Sequence, residues 1–301
     1  MKAVRYHSYG GPEVLQVDEV PEPHAGPGEV RIKVQAAGVN PFDVKLREGM
    51  MSGGNSLPGP VITGQEAAGV VDEVGEGVTG TLVGDVVFGF TVGGAAAERA
   101  VLNHWAHKPD NVSVTEAGGI SLVAETAARG LRELDVKAGD TVLVHGASGG
   151  VGQAAIQLAR HAGASVIGTA SESNHDLVRS LGATPTSYGD GLAARVAALA
   201  PDGVNAVFDA AGTSIEDLVA VAGDPSRVVT IANFAAGGLG VRVSGGGGVR
   251  AYDALDQVAD LGAKGDFALK VAATFDLAEA GAAHELAISG HAGGKVVLTV
   301  D

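Results

Sequence analysis

The chain has no cysteine among its 301 residues. Disulfides, thiolate-bound zinc, iron–sulfur clusters and a cysteine nucleophile are therefore excluded. Aromatic residues are scarce, at 4%, so small side chains must fill much of any core. The 47 glycines imply many tight turns or close backbone approaches. Positive charge is scarce too: 20 Lys and Arg face 35 Asp and Glu, a net charge of −15. A field of that sign repels nucleic acid and anionic lipid, so neither is expected as a partner. No run approaches the roughly 18 uninterrupted apolar residues of a membrane span. The opening "MKAVRYHSYG" reads as a strand rather than a signal peptide, and a cytoplasmic location is the expectation.

What is present is a change of rhythm along the chain. Short Val- and Ile-rich runs separated by Gly, Pro and Asp fill the first third: "MKAVRY", "VLQVDEV", "EVRIKVQAAGV", "AAGVVDEVG" and "DVVFGF". They predict a β-rich, barrel-like module. Near Thr115 the period becomes helical, and "TEAGGISLVAETAARGLREL" is predicted as one helix capped at Ser113 or Thr115. From there apolar strands alternate with amphipathic helices, beginning "DTVLVHG", "VGQAAIQLARHAG", "SVIGTAS". That alternation predicts βαβ units and a parallel sheet covered on both faces. A helix from about 276 to 289 and a last strand, "KVVLTV", end the chain, the strand returning to the first module. The expectation is an α/β protein of two domains: residues 1–112 with 268–301, and residues 113–267. "SGGGG" at Ser244–Gly248 reads as a mobile loop.

"TVLVHGASGGVGQAAIQLAR" places Ala147, Ser148, Gly149, Gly150, Val151 and Gly152 between a strand and a helix. Strand, glycine turn and helix in that order form a dinucleotide fingerprint. Gly149 lets backbone approach a pyrophosphate, Gly150 and Gly152 allow the tight helix entry, and the helix N-terminus offers N–H groups to the anion. An NAD site places an acid at the end of the second strand to hold the ribose 2′-OH. Here Ala170 and Ser171 stand there, with Glu172 just after. NADPH is therefore favoured over NADH, with Ser171, His175 and Arg179 around the extra phosphate. Asn233, at the end of "RVVTIAN", is a further candidate cofactor contact.

Polar residues in the β-rich part admit two readings each. Gly64-Gln65-Glu66 interrupts an apolar stretch expected to form a strand, a turn and a second strand by Val78; its side chains either face a substrate or hold loop backbone. Asn40 before Pro41 either starts a turn or meets a substrate oxygen. Asp43 either caps a helix or pairs with Arg47, or acts as an acid. Lys45 and Arg47 are solvated or bind an acidic substrate group. The nine histidines contain no HxxxH pair.

Taken together, "AAGVNPFDVKLREG", "GQEAAGVVDEVGEGV", "GDVVFGF", "KAGDTVLVHGASGGVGQAAIQLAR", "GASVIGTAS" and "GGKVVLTV" resemble the zinc-free quinone oxidoreductase branch of the medium-chain dehydrogenase/reductases. The resemblance runs nearly end to end and is weakest over 241–266. It implies a GroES-like β-rich catalytic domain split around a Rossmann domain, a doubly wound parallel sheet, with a homodimer as the family's habit. In zinc-dependent relatives a Cys and the His of a Gly-His-Glu triplet bind metal; Asn40 and Gln65 stand in those neighbourhoods here, so zinc is not expected. The resemblance makes Asn40 and Gln65 the catalytic candidates, Asn40 binding the substrate carbonyl. It puts Lys45 where several members have a pocket tyrosine, matches Tyr188 to a residue beside the 2′-phosphate, and matches Arg250 to an arginine closing the substrate cleft.

Without a metal, hydride transfer suits acceptors whose developing charge is delocalised, such as quinones or α,β-unsaturated carbonyls. The expected function is an NADPH-dependent, zinc-free reductase of such small molecules. The alternatives are an enoyl-thioester reductase and a non-catalytic NADPH-binding sensor.

Overall fold

The computed structural model describes residues 1–301. The chain begins with β1 (Lys2–Tyr6), β2 (Leu15–Glu19), β3 (Val30–Val39), helix α1 (Pro41–Arg47), β4 (Val61–Ile62), β5 (Glu66–Val74), β6 (Val86–Val92) and β7 (Arg99–His107). Short α2 (Val114–Ala117) and long α3 (Ile120–Glu133) follow. Then come β8 (Thr141–His145), α4 (Gly150–His161), β9 (Ser165–Thr169), α5 (His175–Ser180), β10 (Thr184–Thr186), α6 (Leu192–Leu199), β11 (Ala206–Asp209), α7 (Ile215–Ala222), β12 (Val228–Thr230) and β13 (Arg242–Val243). The chain ends with α8 (Ala254–Lys264), β14 (Val271–Asp276), α9 (Ala280–Ile288) and β15 (Lys295–Thr299). No helix is long and apolar enough to cross a membrane. Two compact units result: Met1–Leu122 with Leu255–Asp301, and Val123–Ala254.

In the first unit a six-stranded sheet runs β14-β15-β3-β5-β6-β7, and β7 pairs back onto β3. β15 is antiparallel to β3, with Val296 opposite Val39 and Leu298 opposite Ala37. Period-two alternation explains the inward face: Val30, Ile32 and Val34 are buried with Val4, Val71, Val87, Leu102, Val296 and Leu298. A smaller sheet, β2-β1-β4, completes the unit.

In the second unit the parallel strands lie in the order β10-β9-β8-β11-β12-β13. Counted from β8, that is the 3-2-1-4-5-6 order of a doubly wound sheet, and its direction of winding reverses between β8 and β11. Leu143, Ile167, Val207 and Val228 pack with Leu192, Val196, Ile215 and Leu218 of the helices. Small residues permit close layers. A Cβ on Gly130 would come within 2.2 Å of the Phe208 ring, so α3 lies directly on β11.

Three expectations on the elements need correcting. "TEAGGISLVAETAARGLREL" is two helices, broken at Gly118–Gly119. Cβ atoms there would lie 2.6 Å from Ala36 and 2.5 Å from Lys295, so the chain presses against β3 and β15 where a helix face would not fit. The run Gly64–Val78 yields one strand, β5, and the next strand begins only at Val86. β14, parallel to β15 from Val271 to Asp276, was not anticipated.

Candidate active site

At the reversal point of the parallel sheet, β8 ends in His145 and the loop Gly146–Gly149 leads into α4. Gly146 has φ +82°, which favours glycine, and a Cβ on Gly152 would come 2.2 Å from the Gly146 carbonyl oxygen. Gly152 is thus required by packing of helix on loop. Gly149 differs. Its φ is −73°, and a Cβ there would meet only Gly146 O at 3.5 Å, an ordinary contact. Neither backbone strain nor packing explains glycine at 149; what a side chain would fill is open space at the head of the helix. Gly150, Val151 and Gly152 are the first residues of α4, whose N–H groups have no acceptor within the helix. Ala147 is buried, and the Ser148 carbonyl accepts from Gln153 Nε2 at 2.8 Å, fixing the loop.

Beneath this loop the strand ends are tied together by buried polar groups. His145 reaches Thr169 Oγ1 at 2.7 Å and Thr213 Oγ1 at 3.1 Å, and burial holds its pKa below the usual imidazole range against the opposing charges of Asp209 and Asp217. The Asp209 carboxylate accepts from the N–H groups of Ala211 and Gly212 at 3.0 and 2.9 Å and from the Thr230 hydroxyl at 2.6 Å. Asn233 completes the set: its Nδ2 donates to Gly212 O at 3.1 Å and its Oδ1 accepts from Ala235 N.

At the end of β9, Ser171 Oγ lies 3.1 Å from Ser173 Oγ and accepts from Asn174 Nδ2 at 3.0 Å. Glu172 is exposed. Arg179 pairs with Asp176 at 2.6 Å. Tyr188 is 57% exposed, in a loop whose carbonyls at Ser187, Tyr188, Gly189 and Asp190 all accept from Arg195. Arg250 is turned onto Glu125, 3.3 Å away, and over the Tyr252 ring.

In the β-rich unit the two readings of Gly64-Gln65-Glu66 meet a definite geometry. Glu66 is fully buried. Its Oε1 accepts from Lys295 Nζ at 2.7 Å and from Asn40 Nδ2 at 2.9 Å, and its Oε2 accepts from the Leu122 N–H at 2.7 Å. Lys295 Nζ also donates to Asn40 Oδ1. Asn40 is 2% exposed, with its amide orientation set by an ammonium on one side and a carboxylate on the other. Glu66 therefore does hold a backbone N–H, as the plainer reading had it, and binds a cation as well. Gln65, half-buried, borders a cavity of about 670 Å³ together with Tyr6, Asp43, Leu46, Thr63 and Thr91. Asn40, buried, is not among the residues that line it.

Asp43 accepts from the Asn40 backbone N–H at 2.8 Å, the return half of a capping box at the start of α1. It makes no ion pair with Arg47. Arg47, expected to be solvated, is 1% exposed: it donates to Gly10 O at 3.1 Å and pairs with Glu48 at 2.8 Å. Its Nη1 lies 3.4 Å from His284 Nδ1. A guanidinium only donates, so Nδ1 accepts, the proton sits on Nε2, and Thr63 Oγ1 is at 3.5 Å from it. Burial, then the Arg47 charge, push the His284 pKa down to about 4. Lys45 lies half-buried on α1.

Lys295 is the site residue that sequence reasoning missed. Its "GGKVVLTV" context signalled only a strand, and its partners are 229 and 255 residues away. No group of three or more His, Asp or Glu side chains is placed to hold a metal ion.

Comparison with known proteins bears on this geometry. The alcohol dehydrogenase GroES-like domain family matches residues 26–127, and the zinc-binding dehydrogenase family matches residues 150–244. The rat quinone oxidoreductase is 41% identical over 191 residues, 61% of this chain and 57% of that protein. The chloroplastic NADPH-dependent alkenal/one oxidoreductase of Arabidopsis thaliana is 39% identical over 229 residues, 70% of this chain and 58% of that protein. The chain thus spans little more than half the length of these curated relatives. A solved NAD-dependent alcohol dehydrogenase superposes over the whole of both chains with a TM-score of 0.86 at 30% identity.

Proposed function

Since the chain belongs to the medium-chain dehydrogenase/reductase superfamily, in its quinone oxidoreductase branch, we propose that it is an NADPH-dependent reductase of a quinone or an α,β-unsaturated carbonyl compound. The observation that carries this reading is the open space at Gly149, the N-cap of α4, where a Cβ would meet nothing closer than Gly146 O at 3.5 Å. A pyrophosphate laid against Gly149 receives the N–H groups at the head of α4 and the favourable end of the helix dipole. The end of β9 presents the Ser171 hydroxyl and no buried carboxylate, which leaves a 2′-phosphate unrepelled; Tyr188, after the adjacent β10, is a contact on that side, and Asn233, after β12, is one on the other side of the reversal point. When bound, the nicotinamide supplies hydride.

The chain's own contribution at the acceptor is orientation and neutral hydrogen bonding. Asn40 Nδ2 gives one hydrogen to Glu66 and its side chain also interacts with Asp43, so this buried amide orders the polar groups behind the cavity. The Lys295 ammonium on Oδ1 polarises the same amide, which strengthens that donor. Gln65 supplies a second amide from the cavity wall. A divalent metal does not fit this place: the donors are two amides and one carboxylate, and the ammonium of Lys295 already contacts both Asn40 and Glu66.

The test is to mix the protein with NADPH or NADH and with benzoquinone or cyclohexenone, and to follow loss of reduced-nicotinamide absorbance. Turnover with NADPH at least tenfold more efficient than with NADH is expected. No oxidation with either acceptor refutes the proposal, and a preference for NADH refutes its cofactor half.

A further inference from the structure

The last residues of four neighbouring strands form one polar row across the parallel sheet. Thr169 of β9 is in register with His145 of β8, His145 with Asp209 of β11, and Asp209 with Thr230 of β12. All four are buried, at the level where apolar strands give way to the loops of the crevice. Two of them are consumed in shaping those loops. Asp209 holds the Ala211 and Gly212 N–H groups, and Thr230 Oγ1 accepts from Ala232 N and Asn233 N at 3.2 and 3.1 Å. Asn233 Nδ2 holds Gly212 from its other side. Thr213 comes next and is exposed, and Ser214 after it has φ +55°, one of only two non-glycine residues with positive φ. Such a conformation persists where the surroundings over-determine it. The loop also abuts the glycine turn: a Cβ on Gly146 would lie 3.2 Å from the Ala211 Cβ.

Hydrogen bonding along the row has one direction that leaves no buried hydrogen without an acceptor. Thr169 Oγ1 already accepts from the Gly146 N–H at 3.2 Å. If His145 Nδ1 carried the ring hydrogen, Thr169 would accept twice and its own buried hydroxyl hydrogen would have nowhere to go. The Thr169 hydroxyl therefore donates to Nδ1 at 2.7 Å, the ring hydrogen sits on Nε2, and Nε2–H donates to Thr213 Oγ1 at 3.1 Å. Burial keeps the ring neutral. The Thr213 hydrogen then has no acceptor within the protein, and donation in one sense along three groups strengthens this last donor.

We propose that Thr213 is a cofactor-binding residue, its hydroxyl donating to an oxygen of the ribose-phosphate half of the dinucleotide that lies over β11 and β12, with His145 and Thr169 as positioning residues. This rests on the nucleotide reading above. A pyrophosphate at Gly149 sits where the strand order reverses, so a dinucleotide extends to both sides of it. The adenosine half runs toward β9 and β10, where Ser171 and Tyr188 stand. The other half runs toward β11 and β12, and its ribose hydroxyls and phosphate oxygens need donors. Asp209, Thr230 and Asn233 have spent their polar atoms on the loops, as listed by their partners above. Thr213 has a hydrogen left to give.

The experiment measures binding to the full-length protein by calorimetric titration with NADPH and with adenosine 2′,5′-bisphosphate, which carries only the adenosine half. Thr213→Val keeps the shape and lacks the hydroxyl. It is expected to weaken NADPH about tenfold and to leave the affinity for the bisphosphate unchanged. Thr213→Ser should bind both ligands as wild type does. A readout with residue 213 intact is nitrogen NMR of protein labelled at histidine, the His145 signals being assigned by their loss in His145→Gln. A neutral ring protonated at Nε2 is expected, its signals shifting with NADPH and not with the bisphosphate. T213V that binds NADPH like wild type overturns the proposal, as does an equal loss of both ligands or a ring protonated at Nδ1. Wild-type protein that binds neither ligand overturns the nucleotide reading itself, and this inference with it.

Discussion

Two buried groups in the β-rich unit pull the stability of the protein in opposite directions as pH changes, and single substitutions should expose each. Asp43 has its carboxyl raised from 3.8 to about 7. The folded state favours the protonated form, so this contribution is complete below pH 3.8 and is lost as pH rises through about 7. A shift of that size corresponds to about 4 kcal/mol. His284 is lowered from 6.5 to about 4. The folded state favours the neutral ring, so its contribution is present above pH 6.5 and is lost as pH falls through about 4, some 3 kcal/mol in all. Between pH 4 and 6.5 unfolding releases a proton from Asp43 and takes one up at His284, so the two slopes, each about 1.4 kcal/mol per pH unit, cancel. Asp43→Asn removes one slope: relative to wild type, its unfolding free energy should drop by about 3 kcal/mol from pH 6.5 to 4. His284→Asn retains an acceptor for Arg47 and removes the other slope. Its relative stability should drop by about 3 kcal/mol from pH 4 to 6.5. Urea melts across that range, taken as differences from wild type so that common titrations subtract out, measure both. Three parallel profiles would refute the reasoning, because burial would then not discriminate between the charged and neutral forms of either group.

Other outcomes follow from the same geometry. Gly149→Ala should weaken NADPH binding at least tenfold in a fluorescence titration while costing under about 1 kcal/mol of stability, because its Cβ clashes with nothing in the protein. Gly152→Ala should lower the melting temperature sharply in calorimetry, because its Cβ would lie 2.2 Å from Gly146 O. Lys295→Met leaves the buried Glu66 without a cation and should cost about 3–5 kcal/mol; the double variant with Glu66→Gln should recover part of that in urea melts. Ser171→Asp, placing a carboxylate at the end of β9, should turn the NADPH-to-NADH ratio of kcat/KM toward NADH.

The alternation of strand and helix between residues 141 and 230 was legible because each element carries its own apolar period and its own glycine stop. The glycine turn between β8 and α4 was legible for the same reason: strand, Gly149 and helix are contiguous. What was not legible depends on distance in sequence. Nothing near Lys295 announces that it will neutralise Glu66, and nothing near Arg47 announces His284, 237 residues on. A cap was one of the readings open for Asp43, and it does cap α1, but its unpartnered second oxygen is a property of the surrounding walls. The break at Gly118–Gly119 combines two residues of poor helix propensity with the close approach of β3 and β15, whereas the apolar period alone runs across it.

The place of β15 inside its sheet has a consequence for synthesis. It sits between β14 and β3, so the Ala36–Val39 end of β3 stays an open edge until residues 295–299 leave the ribosome, although β3, β5, β6 and β7 can already pair among themselves. At about 5–20 residues per second, β3 waits on the order of ten seconds or longer for its neighbour, and Glu66 waits equally long for its counter-charge. The parallel-sheet unit, residues 123–254, has its full complement of strands well before then. Nascent chains should therefore acquire the parallel-sheet unit first and exist for a time with an open β-rich edge. Chaperone capture should be concentrated in that interval, and chains stalled before Lys295 should be protease-sensitive in the first 122 residues while the later unit resists.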